Sequence, residues 1–489
     1  MRRKKMYPEL IALGGAATRP QNGEKRPPIG GSAILLRYGE FGFLSDCGAY
    51  QARGKALEKE TEQVIFDYKT IGGEYKIPIV KSLMNYLKQE DTLLPAKSDS
   101  ILPDFSILNK VRYLIILLHH GHHDHVGGLP VLRKMLAGKG IRPIILATAP
   151  TRDFCKQAWT DQLKIMANKG QRSGYDRIMM YKLLKEIQIV NPGQTLSFGP
   201  FDITLIHAGH ILGALSALVK VAEKKVFFTS DISFNNPLIP GATICSLDNV
   251  GKLDYLVSEF TYGKQRKHIS KETESNRLIN DVRKTLEEGG KVLIPALSIE
   301  RVEIIFEALR QAGITKRWPV YINGLSAKIS AVTYVRYGII DSEIEKHFVE
   351  NINQSYTIAR SNNACVMIAP AGMMGGGWSV YFGSQWASDA KNLIAFTCYQ
   401  IKGSPGYKLL TMKRGNELKL GDENICLRAK IRKYSLSAHA SGEELEAMIE
   451  RLKPKKTLLV HGEEAQIDNF VRSSVKNAEK MIVGKRYTI

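Results

Sequence analysis

Six times along this chain a short apolar or β-branched run ends on an acid or a histidine. "FGFLSD" closes at Asp46, "VRYLIILLHH" at His119 and His120, and "FDITLIHAGH" leads to His210. "KVFFTSD" closes at Asp231, "DYLVSE" at Glu259 and "KKTLLVH" at His461. Continuous apolar runs of this length suit strands buried on both faces. Functional groups on the loops that follow such strands are where α/β proteins place their chemistry. The segments "LPVLRKMLAGKG", "ESNRLINDVRKTLEEGG" and "SIERVEIIFEALRQAG" carry apolar residues at three- and four-residue steps and close on glycine, which predicts helices. Ser441 and Glu444 in "SGEELEAMIERL" have the spacing of a capping box. No solenoid-period repeat, heptad or low-complexity tract breaks the pattern. The expected fold class is mixed α/β.

Length and charge narrow the reading. A chain of 489 residues, 44% of them hydrophobic, is expected to form two or three domains with substantial cores. It has no apolar run of 18 residues, so no membrane span is expected. Pro8 and Glu9 interrupt the apolar stretch behind the basic start, which reads as a mature cytosolic N-terminus. Six scattered cysteines with no CxxC pair read as reduced thiols, and the expected location is cytoplasmic. The net charge of +21, from 69 Lys+Arg against 48 Asp+Glu, favours a polyanionic partner: RNA, DNA or an acidic surface.

The densest chemistry lies in "LLHHGHHDHVGG", residues 117–128, where five of the eleven histidines fall within seven positions. An affinity tag would sit at a terminus. A low-complexity metal scavenger would need neither the apolar strand before it nor the double glycine after it. The spacing HxHxDH fits His120, His122, Asp124 and His125. After a strand, His120 and His122 can face one ion, and Asp124 and His125 a second. Imidazole with carboxylate is a ligand set for zinc, less often manganese or iron. Two metals about 3.5–4 Å apart form the clamp used in phosphate-ester hydrolysis. Such a site needs further ligands, and His210, Asp231 and His461 are the strand-end candidates. His119, His123 and His207 fall off this register and read as hydrogen-bonding core or supporting groups. His268 and His347 lie among charged residues and read as solvated.

With these motifs in view, the chain resembles the metallo-β-lactamase superfamily. "DCG" at Asp46, "HGHHDHVGG", "AGHILGA" around His210 and "TSDIS" around Asp231 stand in for that superfamily's successive motifs, in order. "SEFTYG" at Glu259, "SAHAS" at His439 and "LVHGE" at His461 resemble the three extra motifs of its β-CASP nucleases. In that family a second domain is inserted between the first and second of these, and here 180 positions separate Glu259 from His439. The resemblance is greatest to the endonuclease subunit of the cleavage and polyadenylation specificity factor and its compact prokaryotic relatives. Several positions depart from the pattern without removing a ligand: "TSD" stands for the usual Tyr-Thr-Gly-Asp, "SEF" for Glu-Ser-Thr, and Glu300 stands before Arg301 where the family usually has glycine.

The resemblance implies an αββα metallo-β-lactamase sandwich with an inserted α/β β-CASP cap. The expected boundaries are 1–262 for the first domain (with an insertion at about 51–110), 263–431 for the cap, and 432–489 for the return to the first domain. It implies two Zn2+ ions, with His120, His122 and His210 on one, Asp124, His125 and His461 on the other, and Asp231 bridging. Asp124 would also accept a proton, His439 would be the general acid and Glu259 its partner. Asp46 would orient a ligand histidine from behind.

The implied activity is zinc-dependent hydrolysis of RNA phosphodiester bonds, as endonucleolytic processing or decay of single-stranded RNA. In this family a histidine at the position of His461 accompanies RNA substrates. A 5′-exoribonuclease or a DNA nuclease of the same branch shares these ligands and stays open. So does a homodimeric state. A small-ester hydrolase needs neither the 180-position insertion nor the excess charge. A non-catalytic RNA-binding scaffold would have lost ligands.

Overall fold

The apolar runs form strands for the reason the sequence suggests: both faces of each are covered. The computed structural model describes residues 6–16, 31–49, 102–168, 173–248, 251–263, 270–400, 403–473 and 477–489. These divide into two units, the first built from residues up to 263 and from 438 onward, the second from 270–437.

The first unit contains two seven-stranded sheets. One comprises β1 (Glu9–Gly14), β2 (Ala33–Tyr38), β3 (Phe41–Ser45), β4 (Tyr113–Leu117), β5 (Ile144–Ala147) and β6 (Ile187–Ile189) in sequence order, with the last strand of the chain, β21 (Arg486–Thr488), beside β1. The other holds β7 (Thr195–Phe198), β8 (Phe201–His207), β9 (Leu215–Val221), β10 (Lys224–Phe228) and β11 (Tyr255–Glu259), followed by β19 (Lys456–Val460) and β20 (Ala478–Lys480). One core joins the facing sides: Phe43, Ile115 and Leu117 from the first sheet meet Phe201, Val219, Phe228 and Val257 from the second. The outer face of the first sheet is covered by helices that contribute Leu129, Leu132, Trp159 and Leu183. The outer face of the second is covered through Leu445, Met448, Ile467 and Phe470. The result is an αββα sandwich.

Two connections matter for the site. β10, β11 and β19 run parallel, with Glu259 paired to Val460, so the chain returns after residue 437 to place His461 beside the end of β11. The helix Gly442–Leu452 begins with the expected capping box, Ser441 and Glu444 bonding each other's backbone N–H.

The second unit has a five-stranded, wholly parallel sheet. Its strands are β12 (Val292–Pro295), β13 (Val320–Ile322), β14 (Val366–Ala369), β15 (Leu393–Phe396) and β18 (Lys430–Lys433), in the order β13-β14-β12-β15-β18. Separate cores lie on its two faces. A hairpin of β16 (Glu417–Leu420) and β17 (Glu423–Cys426) completes it.

Two boundaries differ from expectation. Residues 432–437, expected with the first domain, belong to the second unit, because Lys430–Lys433 pairs in parallel with β15. The expected insertion at about 51–110 lies outside the described residues up to 101. Its remaining part is no appendage: Phe105 and Leu108, in the 3-10 turn Phe105–Lys110, are buried in the first unit's core. No described helix is long and apolar enough to cross a membrane.

Candidate metal centre

Every strand-end ligand candidate of the first unit converges on one place. The histidine loop owes its shape to close backbone approaches. Ser32 N donates to Asp124 O, Cys47 N to His125 O, and the buried indole of Trp159 to Val126 O. Gly48 must be glycine here, since a Cβ would stand 1.6 Å from Asp124 O. Asp46, Ser230 and His461 all take left-handed backbone conformations, at φ 63°, 49° and 53°. Such strain in non-glycine residues persists where the surroundings over-determine it, and it clusters at functional sites.

Three imidazoles form the first group. His122 Nδ1 lies 3.1 Å from His120 Nε2 and 3.1 Å from His210 Nε2. Asp231 Oδ2 stands 3.5 Å from His120 Nε2 and 3.6 Å from His210 Nε2. One proton cannot serve three converging nitrogens, whereas nitrogens about 3.3 Å apart are what tetrahedral coordination at about 2.0–2.1 Å produces. Burial pushes His120 and His210 well below the ordinary imidazole value and takes His122 down to about 4, so all three rings are neutral, the form in which imidazole can bind a metal.

The second group is Asp124, His125 and His461. His461 Nε2 lies 3.2 Å from Asp124 Oδ2, and His461 Nδ1 lies 3.5 Å from Asp231 Oδ1. His125 Nε2 is 3.4 Å from Asp231 Oδ2. Asp231 therefore touches both groups. Burial opposes charge on His461, but Asp231 and Asp124 overcome it and raise the imidazole to about 9. The same contest, won by Asp231 and Asp46, raises His125. These carboxylates call for positive charge, which a proton supplies on the imidazole and a bound cation would supply in its place.

The residues present fit a pair of metal ions. Among the converging atoms, the buried His125 Nε2 and Asp231 Oδ1 have no hydrogen-bond partner, whereas buried polar atoms nearly always have one. The backs of two of these histidines are tied as those of metal-binding histidines are. His125 Nδ1 bonds Asp46 Oδ2 at 2.8 Å, and His210 Nδ1 bonds Ala438 O at 2.8 Å. Asp46 Oδ1 also accepts from His119 N.

Beside this cluster stands His439, its Nδ1 2.9 Å from Glu259 Oε2 and its ring centre 4.5 Å from that of His210. Burial works against its charge, yet Glu259 and Asp231 raise its affinity for a proton. Glu259 is itself fixed by Ile232 N and by the hydroxyl of Thr261.

Sequence reasoning missed Thr261. Its Oγ1 lies 2.5 Å from Glu259 Oε2 and 3.0 Å from His461 Nδ1, so it links the two. Its one signal was its place inside "SEFTYG". Ser230 and Ser45, which bond Asp46 and His119, gave none. His119 is a core group, with its Nδ1 on Leu215 O. His347, read as solvated, instead packs on Phe306 and bonds Val320 O. His268 lies outside the described residues.

Comparison with known proteins accords with this geometry. A Beta-Casp domain model matches residues 301–409. A model of a Zn-dependent metallo-hydrolase RNA specificity domain matches 424–483, and one of the anti-Pycsar protein Apyc1 matches 108–246. Integrator complex subunit 11 of Danio rerio is 28% identical over 399 residues, which cover 77% of this chain and 65% of that protein. RNase aCSPSF2 of Saccharolobus solfataricus is 27% identical, covering 72% of this chain and 69% of its own. Transcription termination factor FttA of Methanocaldococcus jannaschii is 27% identical, covering 75% and 61%. The chain thus spans about two thirds of the length of these relatives. A crystal structure of an Enterococcus faecalis protein of unknown function superposes over 99% of this chain and 100% of its own, with a TM-score of 0.56 and 12% identity, a likeness of fold. The chain thus carries a Beta-Casp domain and a Zn-dependent metallo-hydrolase RNA specificity domain alongside a histidine-rich αββα sandwich, and it is similar to the β-CASP proteins of the metallo-β-lactamase superfamily.

Proposed function

We propose that the chain is a ribonuclease that hydrolyses RNA phosphodiester bonds with two zinc ions, one held by His120, His122 and His210, the other by Asp124, His125 and His461, with Asp231 between them. The observation that carries this reading is the pair of donor groups sharing one carboxylate, beside a histidine whose back is bonded to Glu259. The RNA specificity domain, the RNase name of one relative and the net charge of +21 support RNA as the polyanion.

Bound zinc would supply Lewis acidity to the attacking water and to the phosphoryl oxygens. The chain's own residues do the rest. Asp46 and the Ala438 carbonyl hold His125 and His210 in the tautomers that turn Nε2 inward. Asp124 takes the proton that the attacking water sheds as its oxygen bonds to phosphorus. His439, with Nδ1 committed to Glu259, has Nε2–H left to give to the leaving ribose oxygen as the P–O bond breaks. Glu259 fixes that tautomer and favours the protonated ring.

End-labelled RNA incubated with the full chain tests the reading. Internal products at early times are expected. Stepwise loss of 5′ nucleotides would establish the exonuclease alternative, and equal cleavage of a matched DNA strand would remove the RNA preference. No zinc-dependent cleavage of either would overturn the proposal.

A further inference from the structure

The carboxyl ends of the second unit's parallel strands carry polar groups that the metal centre does not use. Ligands of open α/β sheets bind beyond such ends. β12 leads through Leu297, 40% exposed, to Arg301 in the first turn of the helix Arg301–Gln311. β15 leads to Thr397, Cys398 and Tyr399, and β18 ends at Lys433. Gly372, just past β14, draws these segments together: a Cβ there would lie 2.7 Å from Cys398 Sγ and 3.2 Å from Leu297 N.

Arg301 is 6% exposed, its Nε has no hydrogen-bond partner, and among the described residues no carboxylate forms an ion pair with it. The buried Thr397 Oγ1 likewise has no partner. Burial pushes the Cys398 thiol up to about 11, and Arg301 and Lys433 both act on it in the opposite sense, which brings two cations to this edge. Lys433 Nζ also stands 5.7 Å from the ring centre of Tyr399, itself 39% exposed. Neither nearby glutamate forms an ion pair with Arg301 among the described residues. Glu300 Oε1 accepts from the Tyr334 hydroxyl, and burial pushes Glu303 up to about 8, so that it stays protonated at neutral pH.

A guanidinium withdrawn from water without a counter-charge is destabilising, unless an anion completes it. Arg is also the side chain best shaped for phosphate, and an exposed tyrosine beside a lysine is a surface on which a base can stack. We propose that Arg301, with Lys433 and Tyr399, forms a subsite for one backbone phosphate of the RNA strand and the base next to it. The inference rests on the ribonuclease reading.

The test is binding of a fluorescent single-stranded oligouridine to the full zinc-loaded chain across a salt series, with His439→Ala in every sample to halt cleavage. Arg301→Gln is expected to weaken binding about tenfold and to reduce the slope of log affinity against log salt by about one. Arg301→Lys should recover part of the affinity. The melting temperature of Arg301→Gln should match or exceed that of the parent, because an uncompensated charge is gone, whereas a purely structural arginine would lower it.

Unchanged affinity and slope in Arg301→Gln would overturn the subsite alone. So would a lowered melting temperature with no recovery in Arg301→Lys. Stabilisation by inorganic phosphate that depends on Arg301, with RNA binding unaffected, would mark a site for free phosphate and also overturn it. Failure of the parent to bind RNA would remove the ribonuclease reading itself, and the subsite with it.

Discussion

The two units bury charge in opposite ways. In the first, opposite charges lie together: Asp46 against His125, Asp231 against His125 and His461, Glu259 against His439. Two of the atoms left without partners there, His125 Nε2 and Asp231 Oδ1, belong to the converging donor groups that a cation would join. In the second, among the described residues, Glu303 is fully buried with no cation paired to it, and Arg301 is enclosed with no acid paired to it. The difference teaches how to read a buried charge. One tied from behind by a partner of opposite sign is a donor held in position. One with nothing behind it either gives up its charge, as Glu303 does, or has its counter-ion elsewhere.

The largest effect expected is at the residue shared by both donor groups. Asp231→Asn should lose both metal ions by elemental analysis and depress RNA cleavage by more than about four orders of magnitude, beyond the usual worth of a single acid or base. Retention of two ions would break the claim that this carboxylate joins the groups.

Next comes the contrast between ligand and proton donor. His439→Ala should keep its zinc and lose roughly two to four orders of magnitude in rate, the scale of a general acid. Glu259→Gln should show a milder form of that defect. His461→Ala should instead lose or loosen one metal. Equal loss of zinc in His439→Ala and His461→Ala would make His439 a ligand, and the acid would have to be another group.

The third prediction concerns the second unit's buried acid. Glu303 holds its proton up to about pH 8 when folded, against an ordinary carboxyl value of 4.5. Between those values the unfolded chain gives up the proton and the folded chain keeps it, so this group's contribution to stability falls as pH rises. The slope is roughly 1.4 kcal/mol per pH unit, flat below 4.5 and above 8. Denaturation of Glu303→Gln across that window should lack this component and show greater stability than the parent at neutral pH. In the first unit, Asp46→Asn should do the reverse and destabilise, because it strips His125 of its partner. Matching signs for the two substitutions would erase the contrast between the units.

The smallest effect is at Thr261. Thr261→Val should leave Glu259 and His461 each short of one hydrogen bond and lower stability by about 1–3 kcal/mol. A melting curve identical to the parent's would show that the hydroxyl link is idle.

Much of this was legible in the chain because it is written locally. Strands at β4, β10 and β11 follow from apolar runs, and the helices 271–287, 301–311 and 442–452 from their periodicity and caps. The histidine register marks four ligands within six positions. Glu300 shows the same locality: it occupies a glycine-type conformation at φ 67°, where the family pattern has glycine, and Tyr334 holds its carboxylate. The boundary after Ser437 escaped because β18 is short and charged, and only its pairing with β15 assigns it to the second sheet. His347 looked solvated because its sequence neighbours are charged, while its spatial neighbours are Phe306 and Val320.

The sequence by itself determined which residue types end each strand, and so which side chains were available as metal ligands. Only the tertiary structure decided which nitrogen of each histidine faces inward and that Thr261 joins Glu259 to His461. The physical reason is range. Strand and helix formation depend on neighbours within a few residues, whereas a ligand's orientation depends on what stands behind it, and Asp46 stands 79 positions from His125.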